Sequence, residues 1–251
     1  MKGCDSLSIY ITGDIHGDLL RFVKNNFSVG QKLTKEDVLV ICGDFGLIWS
    51  AGGSKDEYKK LKWLNEQPWT TVFVDGNHEN FTRLNAYKII EKWGGKVHRI
   101  RDSIFHLMRG EVYKIQEKTI FTFGGAFSID RENRTKDVSW WEEEIPVDIE
   151  CQNAFENLEK VDYKVDIVLT HDAPKHLALR YGYGTDCMSN GYPNNAVNIL
   201  DLLNLLEYKI EYKQWYCGHY HMDLDDSDSF HFLYHRILDA DTNRNVTTWK
   251  T

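Results

Sequence analysis

Short apolar runs that end in glycine and polar residues recur along the first third of the chain. Three of them are rich in β-branched side chains and occupy residues 7–12 (LSIYIT), 37–44 (DVLVICGD) and 70–74 (TTVFV). Apolar runs of this length, bounded by turn residues, predict buried strands. Residues 54–68 instead place apolar side chains on one helical face after a Ser54 N-cap, and a second helix is predicted over 19–26. This alternation predicts βαβ units and a parallel sheet.

The pattern changes after residue 100. Residues 103–124 alternate apolar and polar side chains between short turns, which predicts antiparallel hairpins. Residues 125–145 are polar and aperiodic, so we expect an inserted loop region that serves as a lid or binding loop. Further helices are predicted over 147–160 and 196–207, and further strands over 165–171, 211–221, 230–238 and 245–250. Together the elements predict an α/β fold, and the length of 251 residues fits a single domain over 1–251.

Composition and charge disfavour several function classes. The formal net charge is −8 and there is no long run of Lys or Arg, so the chain offers no basic field for long nucleic acid. Its five cysteines are scattered and form no CxxC pair, which is typical of a reducing compartment. No signal peptide is visible and no apolar run is long enough to span a bilayer, so we expect a cytoplasmic protein with no membrane partner.

Polar residues with metal-ligand chemistry follow the predicted strands. They are Asp14, His16, Asp44, Asn77, His78, His171, His219 and His221. The carboxyl ends of parallel strands meet at one edge of a sheet, where ligands bind in open α/β folds, so these residues can converge. Carboxylate, amide and imidazole groups suit Mn²⁺, Fe and Zn²⁺, and the set is too large for one tetrahedral ion. It suits two ions roughly 3.5–4 Å apart, with Asp44 as the natural bridge.

Each cluster has a simpler interpretation when it is taken alone. Asp14 and His16 fit a capped turn before a helix, because Asp is a good N-cap. His171 fits a core histidine, whereas His219 and His221 share one face of a strand that faces either a site or solvent. Recurrence of the pattern after five strands favours a shared metal site. Glycines next to nearly every candidate ligand also allow tight turns and close backbone approach.

The motifs GDIHG, GD, GNHE, TH and GHYH resemble those of the calcineurin-like metallophosphoesterases. The family pattern DxH–GD–GNH[DE]–H–GHxH is matched in order over residues 14–221, which is most of the chain. This resemblance implies a four-layer α/β/β/α sandwich, in which two mixed sheets are flanked by helices. It also implies two divalent metal ions, among which Mn is favoured and Fe, Zn, Ni, Co and Mg are alternatives.

The resemblance further implies a role for each candidate residue. One metal would be held by Asp14, His16 and His221, and the other by Asn77, His171 and His219, with Asp44 bridging the two. His78 would not be a ligand but would face the substrate, where it stabilises phosphoryl charge or protonates the leaving oxygen. The implied reaction is hydrolysis of a phosphate ester, in which metal-bound hydroxide attacks phosphorus and His78 assists the leaving group.

One departure from the pattern concerns phosphate recognition. Protein serine/threonine phosphatases continue GDxxDRG, whereas this chain has GDFGLIW, with Leu47 and Ile48 in place of the second Asp and the Arg. Loss of that Arg shifts the expected substrate towards phosphodiesters or nucleotide-type compounds, which carry less charge for a guanidinium to neutralise. A phosphomonoesterase or a protein phosphatase is the alternative within the same chemistry.

Substrate contacts would then come from the inserted loop region. The candidates are Arg131 and Arg134 as guanidinium contacts to phosphate, and Trp140 and Trp141 as walls of a pocket. Equally, the arginines fit a charged loop and the tryptophans fit packing or a protein interface. We interpret residues 142–144 (EEE) as a solvated face.

Two further function classes stay open. A metal-dependent nuclease shares the catalytic core, although the acidic charge disfavours long nucleic acid. A non-catalytic metal-binding scaffold with the same fold is the alternative from another class, because fold alone does not fix function. Its signature would be lost ligands, and all eight candidate positions are intact. The expected partner is a phosphorylated small-molecule or nucleotide substrate.

Overall fold

A computed structural model describes residues 7–181 and 197–248 of the chain. One sheet in these ranges has seven strands, in the order β13-β1-β2-β3-β6-β5-β4. Their bounds are β1 (Ile9–Thr12), β2 (Val38–Cys42), β3 (Thr70–Val74), β4 (Ile89–Lys92), β5 (Gly95–Arg101), β6 (Ile104–Leu107) and β13 (Ile237–Asp239). The central strands β1, β2, β3 and β6 are parallel, and antiparallel strands close both sides, so the sheet is mixed.

The second sheet has six strands, in the order β11-β12-β10-β9-β8-β7. Their bounds are β7 (Val112–Ile115), β8 (Lys118–Phe123), β9 (Lys164–Thr170), β10 (Glu211–Cys217), β11 (Leu224–Ser227) and β12 (Phe230–Phe232). Strands β8, β9, β10 and β12 are parallel, whereas β7 and β11 are antiparallel edge strands. This sheet is therefore mixed as well.

Helices cover the outer faces of both sheets. The described helices are α1 (Lys55–Asn65), α2 (Phe81–Leu84), α3 (Asp148–Glu159), α4 (Lys175–Arg180) and α5 (Ile199–Lys209). One apolar cluster fills the space between the sheets, a second joins the first sheet to α1, and a third joins the second sheet to α3 and α5. Both faces of the central strands are thus buried, which explains their continuous apolar runs. The predicted four-layer α/β/β/α sandwich is confirmed.

Three strand predictions differ from the structure. Residues 103–124 are not a simple set of hairpins, because β6 pairs in parallel with β3, and the chain then crosses to the second sheet, where β7 and β8 form a hairpin. Likewise, residues 230–238 divide into β12 and the start of β13, which lie in different sheets. From the predicted strand 245–250, the described part contributes one bridge, between Asn245 and Leu238.

The predicted helix over 19–26 is wrong. The structure has a single 3-10 turn at Leu20–Phe22. The turn ends because Val23 has an extended backbone, with φ −68° and ψ 153°. Phe22 and Phe27 are both fully buried in the same apolar cluster, and the chain between them follows turns. Packing of the two rings in the core takes precedence here over the local apolar spacing. None of the helices in the described ranges has the length and apolarity needed to cross a membrane.

A buried polar network anchors the chain just after β3. Asp75 accepts hydrogen bonds from Arg109 Nη2 at 2.6 Å and Nε at 2.9 Å, and its other carboxylate oxygen lies 3.0 Å from His106 Nε2. His106 Nδ1 in turn lies 2.9 Å from His98 Nδ1, and Arg109 Nη1 reaches Glu150 of α3 at 3.1 Å. Burial opposes ionisation of Asp75, but Arg109 and His106 hold its pKa well below the usual range. The network therefore ties the loop after β3 to β5 and β6 of the first sheet, to the connection after β6, and to α3.

We expect the Arg109→Met substitution to lower the free energy of unfolding by about 3–5 kcal/mol, because it leaves the buried Asp75 carboxylate without its cation. Urea denaturation monitored by circular dichroism measures the change. Arg99→Met is the matched control, since Arg99 pairs with Asp102 at 2.6 Å on the exposed surface and such pairs contribute at most about 1 kcal/mol. A similar decrease in the free energy of unfolding of both variants would show that the buried network stabilises the protein no more than a surface ion pair does.

Candidate metal centre

The candidate ligands lie on loops at the carboxyl ends of strands from both sheets. Asp14 and His16 follow β1, Asp44 follows β2, and Asn77 follows β3, whereas His171 follows β9, and His219 and His221 follow β10. Four of these residues have positive φ: His16 (45°), Asp44 (47°), His219 (66°) and His221 (48°). Non-glycine residues rarely adopt this conformation, and it concentrates at functional sites.

Four of the candidates form one compact cluster. The ligand atoms of Asp14, His16, Asp44 and His221 all lie within 4.8 Å of one another. His16 Nε2 is 3.0 Å from His221 Nε2 and 3.7 Å from Asp44 Oδ2, and His221 Nε2 is 3.1 Å from Asp14 Oδ2. Two carboxylates and two imidazoles at these separations can hold one divalent cation.

The environment of Asp14 fits a cation in this cluster. Asp14 is fully buried, and its Oδ1 accepts a hydrogen bond from the backbone N–H of His219 at 2.8 Å. Its Oδ2 lies 3.1 Å from His221 Nε2, an ion-pair contact whose angles do not meet those of a hydrogen bond, and it has no other donor among the described residues. Burial opposes ionisation, yet His221, His171 and the His219 N–H lower the pKa of Asp14 to about 2. A buried anionic oxygen without a donor is costly unless a cation compensates it.

A second group of lone pairs converges on the other side of Asp44. His171 Nε2 lies 3.4 Å from Asp44 Oδ1 and 3.2 Å from Asn77 Oδ1, and the rings of His171 and His219 are 5.0 Å apart. His171 Nδ1 donates to the Cys42 carbonyl at 2.8 Å, which leaves Nε2 to face the two oxygens. Although burial opposes it, Asp44 and Asp14 raise the pKa of His171. A positive charge is therefore favoured among these three atoms, and a metal ion can supply it.

Two glycines let the backbone come close to both carboxylates. A Cβ added at Gly76 would lie 2.1 Å from Asp44 Oδ1, and one added at Gly218 would lie 2.1 Å from Asp14 Oδ1. Real Cβ atoms do not come this near to a neighbour, so any side chain would displace the carboxylate. The space also permits the His78 backbone N–H to donate to Asp44 Oδ1 at 2.8 Å.

A cleft of about 210 Å³ opens above the candidate ligands. Besides Asp44, Asn77, His219 and His221, it is lined by His78, Phe127, Ile129, Asp130 and Arg134. Arg134 Nη2 donates to His78 Nε2 at 2.9 Å, and Arg134 Nε donates to Asp130 Oδ2 at 2.8 Å. Burial, reinforced by Arg134, lowers the pKa of His78 to about 4 against the opposing effect of Asp44. A neutral imidazole and a guanidinium thus face the cleft together.

The other three substrate-contact candidates lie elsewhere in the inserted loop region. The Arg131 guanidinium packs 3.7 Å above the ring of Phe127 and 5.1 Å from that of Trp140. Trp141 is 1% exposed, and its indole N–H donates to Thr82 Oγ1 at 3.1 Å. Arg131, Trp140 and Trp141 are therefore not among the residues that line the cleft.

Sequence reasoning missed two polar residues behind the cleft. Ser128 Oγ accepts a hydrogen bond from Asn77 Nδ2 at 3.0 Å, and Glu144 accepts from Ser128. The interpretation of 142–144 as a solvated face is wrong for Glu144, which is fully buried. Ser128 carries a usable signal, because it follows the end of β8 just as the candidate ligands follow their strands. The sequence around Glu144 contains no such signal, because Glu144 follows two exposed glutamates and is indistinguishable from them in the sequence.

The Gly76→Ala substitution should weaken metal binding by about tenfold or more, because the new Cβ displaces the Asp44 carboxylate. Mn²⁺ affinity measured by competition with a chromogenic chelator tests this. Gly52→Ala is the control, since a Cβ added at Gly52 meets nothing within 4 Å. Equal Mn²⁺ affinity in the two variants would contradict a metal centre built around Asp44.

Comparison with known proteins agrees with this geometry. The family model described as calcineurin-like phosphoesterase matches residues 7–223, a range that contains every candidate ligand. A comparison with curated proteins gives no match. The matched range covers most of the chain, and the two mixed sheets flanked by helices are consistent with the fold of that family. The chain therefore belongs to the calcineurin-like phosphoesterase family.

Proposed function

We propose that the protein is a dinuclear metal-dependent phosphoesterase that favours phosphodiester or nucleotide-type substrates. The observation that carries the proposal is the position of Asp44, whose Oδ2 faces His16 at 3.7 Å and whose Oδ1 faces His171 at 3.4 Å. One carboxylate thus serves two ligand groups. In the proposed site Asp14, His16 and His221 would form the first group, and Asn77, His171 and His219 would form the second.

Two divalent ions bound there would supply Lewis acidity and activate water for attack on phosphorus. Oxygen and imidazole ligands without thiolates suit Mn²⁺, with Fe, Zn²⁺, Ni²⁺, Co²⁺ or Mg²⁺ as alternatives. The Cys42 thiol ends β2, where burial and Asp14 raise its pKa and its Sγ lies 3.9 Å from the Tyr216 carbonyl oxygen. Among the described residues, Cys42, Cys151 and Cys217 carry free thiols, which supports a reducing, cytoplasmic location.

His78 and Arg134 are the side chains placed to act on the substrate. In the free protein Arg134 donates to His78 Nε2, so the imidazole is neutral and its proton-accepting nitrogen is covered. A substrate phosphate that pairs with Arg134 would draw the guanidinium away from His78. This removes a neighbouring positive charge and raises the pKa of His78, so that the imidazole can carry a proton to the leaving alkoxide.

The charge available for phosphate supports the diester preference. Leu47 and Ile48 stand at the positions where protein phosphatases have Asp and Arg. Both lie in the loop after β2, and their side chains are buried in the core. Arg134 lines the cleft, and Asp130 at 2.8 Å already offsets its charge. A monoanionic diester requires less neutralisation than a dianionic monoester. A phosphomonoesterase is nevertheless the alternative that the same cleft admits.

Metal-stripped protein refilled with Mn²⁺ should hydrolyse bis-p-nitrophenyl phosphate faster than p-nitrophenyl phosphate. Asp44→Asn should abolish both activities and lower the metal content, because the bridging anion is lost. Asp56→Asn, an exposed carboxylate paired with Lys60 on α1, is the matched control. An active Asp44→Asn variant with full metal content would refute the bridging role, and a higher monoester rate would refute the diester preference.

His78→Ala should keep both metal ions and slow hydrolysis by ~10²–10⁴-fold, the range expected for a lost general acid. The measurement is the turnover number of the Mn²⁺-loaded variant, with metal content determined on the same sample. His176→Ala, which removes an exposed histidine beside Glu207, serves as the control. Unchanged turnover would exclude His78 from the mechanism.

A further inference from the structure

A chain of three buried polar side chains runs from the inserted loop region to the candidate ligand Asn77. The Glu144 carboxylate accepts two hydrogen bonds from Ser128, from its backbone N–H to Oε1 at 3.0 Å and from its hydroxyl to Oε2 at 2.8 Å. The Ser128 hydroxyl oxygen accepts from Asn77 Nδ2 at 3.0 Å. All three residues are buried, with exposures of 0% for Glu144, 2% for Ser128 and 4% for Asn77.

The chain has a fixed direction. A carboxylate can only accept, so the Ser128 hydroxyl hydrogen must point at Glu144. That leaves only lone pairs of Ser128 Oγ towards Asn77, and a lone pair calls for an N–H donor. The amide of Asn77 must therefore turn its nitrogen to Ser128 and its carbonyl oxygen to the other side, where it lies 3.2 Å from His171 Nε2.

This direction matters because the two ends of an amide differ chemically. The carbonyl oxygen can bind a cation and the NH₂ group cannot, yet the two have nearly the same shape. Packing alone would not select between them. We propose that Glu144 and Ser128 are positioning residues, which fix the Asn77 amide so that its oxygen, and not its nitrogen, faces the metal centre.

The carboxylate at the start of this chain is itself held in place. Arg131 Nε lies 3.5 Å from Glu144 Oε1 while its guanidinium packs on Phe127. Burial raises the pKa of Glu144 to about 7, against the effects of Ser128, Arg131 and Arg134. At pH 8, above this pKa, most of the Glu144 carboxyl groups are ionised, and the ionised form gives the chain its direction.

A glutamine at position 144 cannot reproduce this arrangement. If its oxygen accepts from the Ser128 N–H, its NH₂ group donates to the Ser128 hydroxyl. The hydroxyl hydrogen then turns to Asn77, where it favours the amide oxygen, and the NH₂ group of Asn77 is left facing the metal centre. Glu144→Gln thus reverses the chain with almost no change in volume.

The test is calorimetric titration of metal-free protein with Mn²⁺ at pH 8. The inference rests on the proposed dinuclear site, so the wild-type protein should bind two ions. In Glu144→Gln, and in Ser128→Ala, the affinity for one of the two ions should fall by ~10–100-fold, while the affinity for the other is unchanged. Glu143→Gln makes the same replacement on the exposed neighbouring residue and should bind both ions as the wild type does.

A double-mutant comparison distinguishes a role in orienting the Asn77 amide from a nonspecific disturbance of the metal centre. The carboxylate of an Asn77→Asp variant has two equivalent oxygens and needs no orientation, so adding Glu144→Gln to it should cause no further loss of Mn²⁺ affinity. Equal losses in the wild-type and Asn77→Asp backgrounds, or no loss in either, would overturn the proposal. If Glu144→Gln does not fold, as judged by circular dichroism, Ser128→Ala carries the same comparison.

The experiment also distinguishes this inference from the proposed function. Asn77→Ala removes the ligand itself and should abolish binding of one ion. If that variant still binds two ions as the wild type does, the dinuclear ligand set is wrong. If it loses one ion while Glu144→Gln and Ser128→Ala keep both affinities, the ligand set stands and the positioning role is refuted.

Discussion

Two carboxylates held almost wholly out of water, Asp14 and Asp44, are the constraint on which the rest of the site depends. Their exposures are 0% and 1%, and a buried anion is unfavourable unless donors and cations surround it. Backbone N–H groups of His219 and His78 supply one donor to each, and histidines surround the remaining oxygens. Four residues of these loops, His16, Asp44, His219 and His221, have positive φ, and in this conformation the turns bring N–H groups and imidazoles to both carboxylates.

Neither sheet holds a complete site alone. The first sheet provides both carboxylates, and the second provides His171, His219 and His221, so the ligand groups form only when the two strand edges lie side by side. The apolar cluster between the sheets sets that relation, and it includes Ile11 and Val40 of the first sheet and Leu169 of the second. Distances near 3 Å across the site, such as that from His221 Nε2 to Asp14 Oδ2, thus depend on packing far below it. A cavity in the inter-sheet core would therefore disturb metal binding as well as stability.

The convergence of the strand-end candidates could be predicted because each is encoded locally, as a polar residue shortly after a buried run. The connection between β6 and β7 could not, because the residues that pair with each strand lie far away in sequence and the same alternation suits either sheet. The edge strand β4 and its neighbour β5 were also not predicted, since β4 is short and none of its four residues is buried. Glu144 escaped for the opposite reason, because its burial depends on Ser128 and Arg131 and leaves no trace in the acidic run around it.

The inserted loop region joins two tasks that are often separate in an active site. Its Arg134 faces the cleft beside His78, while Ser128 and Glu144, from the same segment, reach Asn77 from behind. Under the proposed function, a shift of this segment would change the contact with substrate phosphate and the orientation of the Asn77 amide together. Substrate preference and metal affinity would then be coupled through one stretch of chain, because residues 125–145 supply both Arg134, which donates to His78, and the Ser128 hydroxyl, which accepts from Asn77.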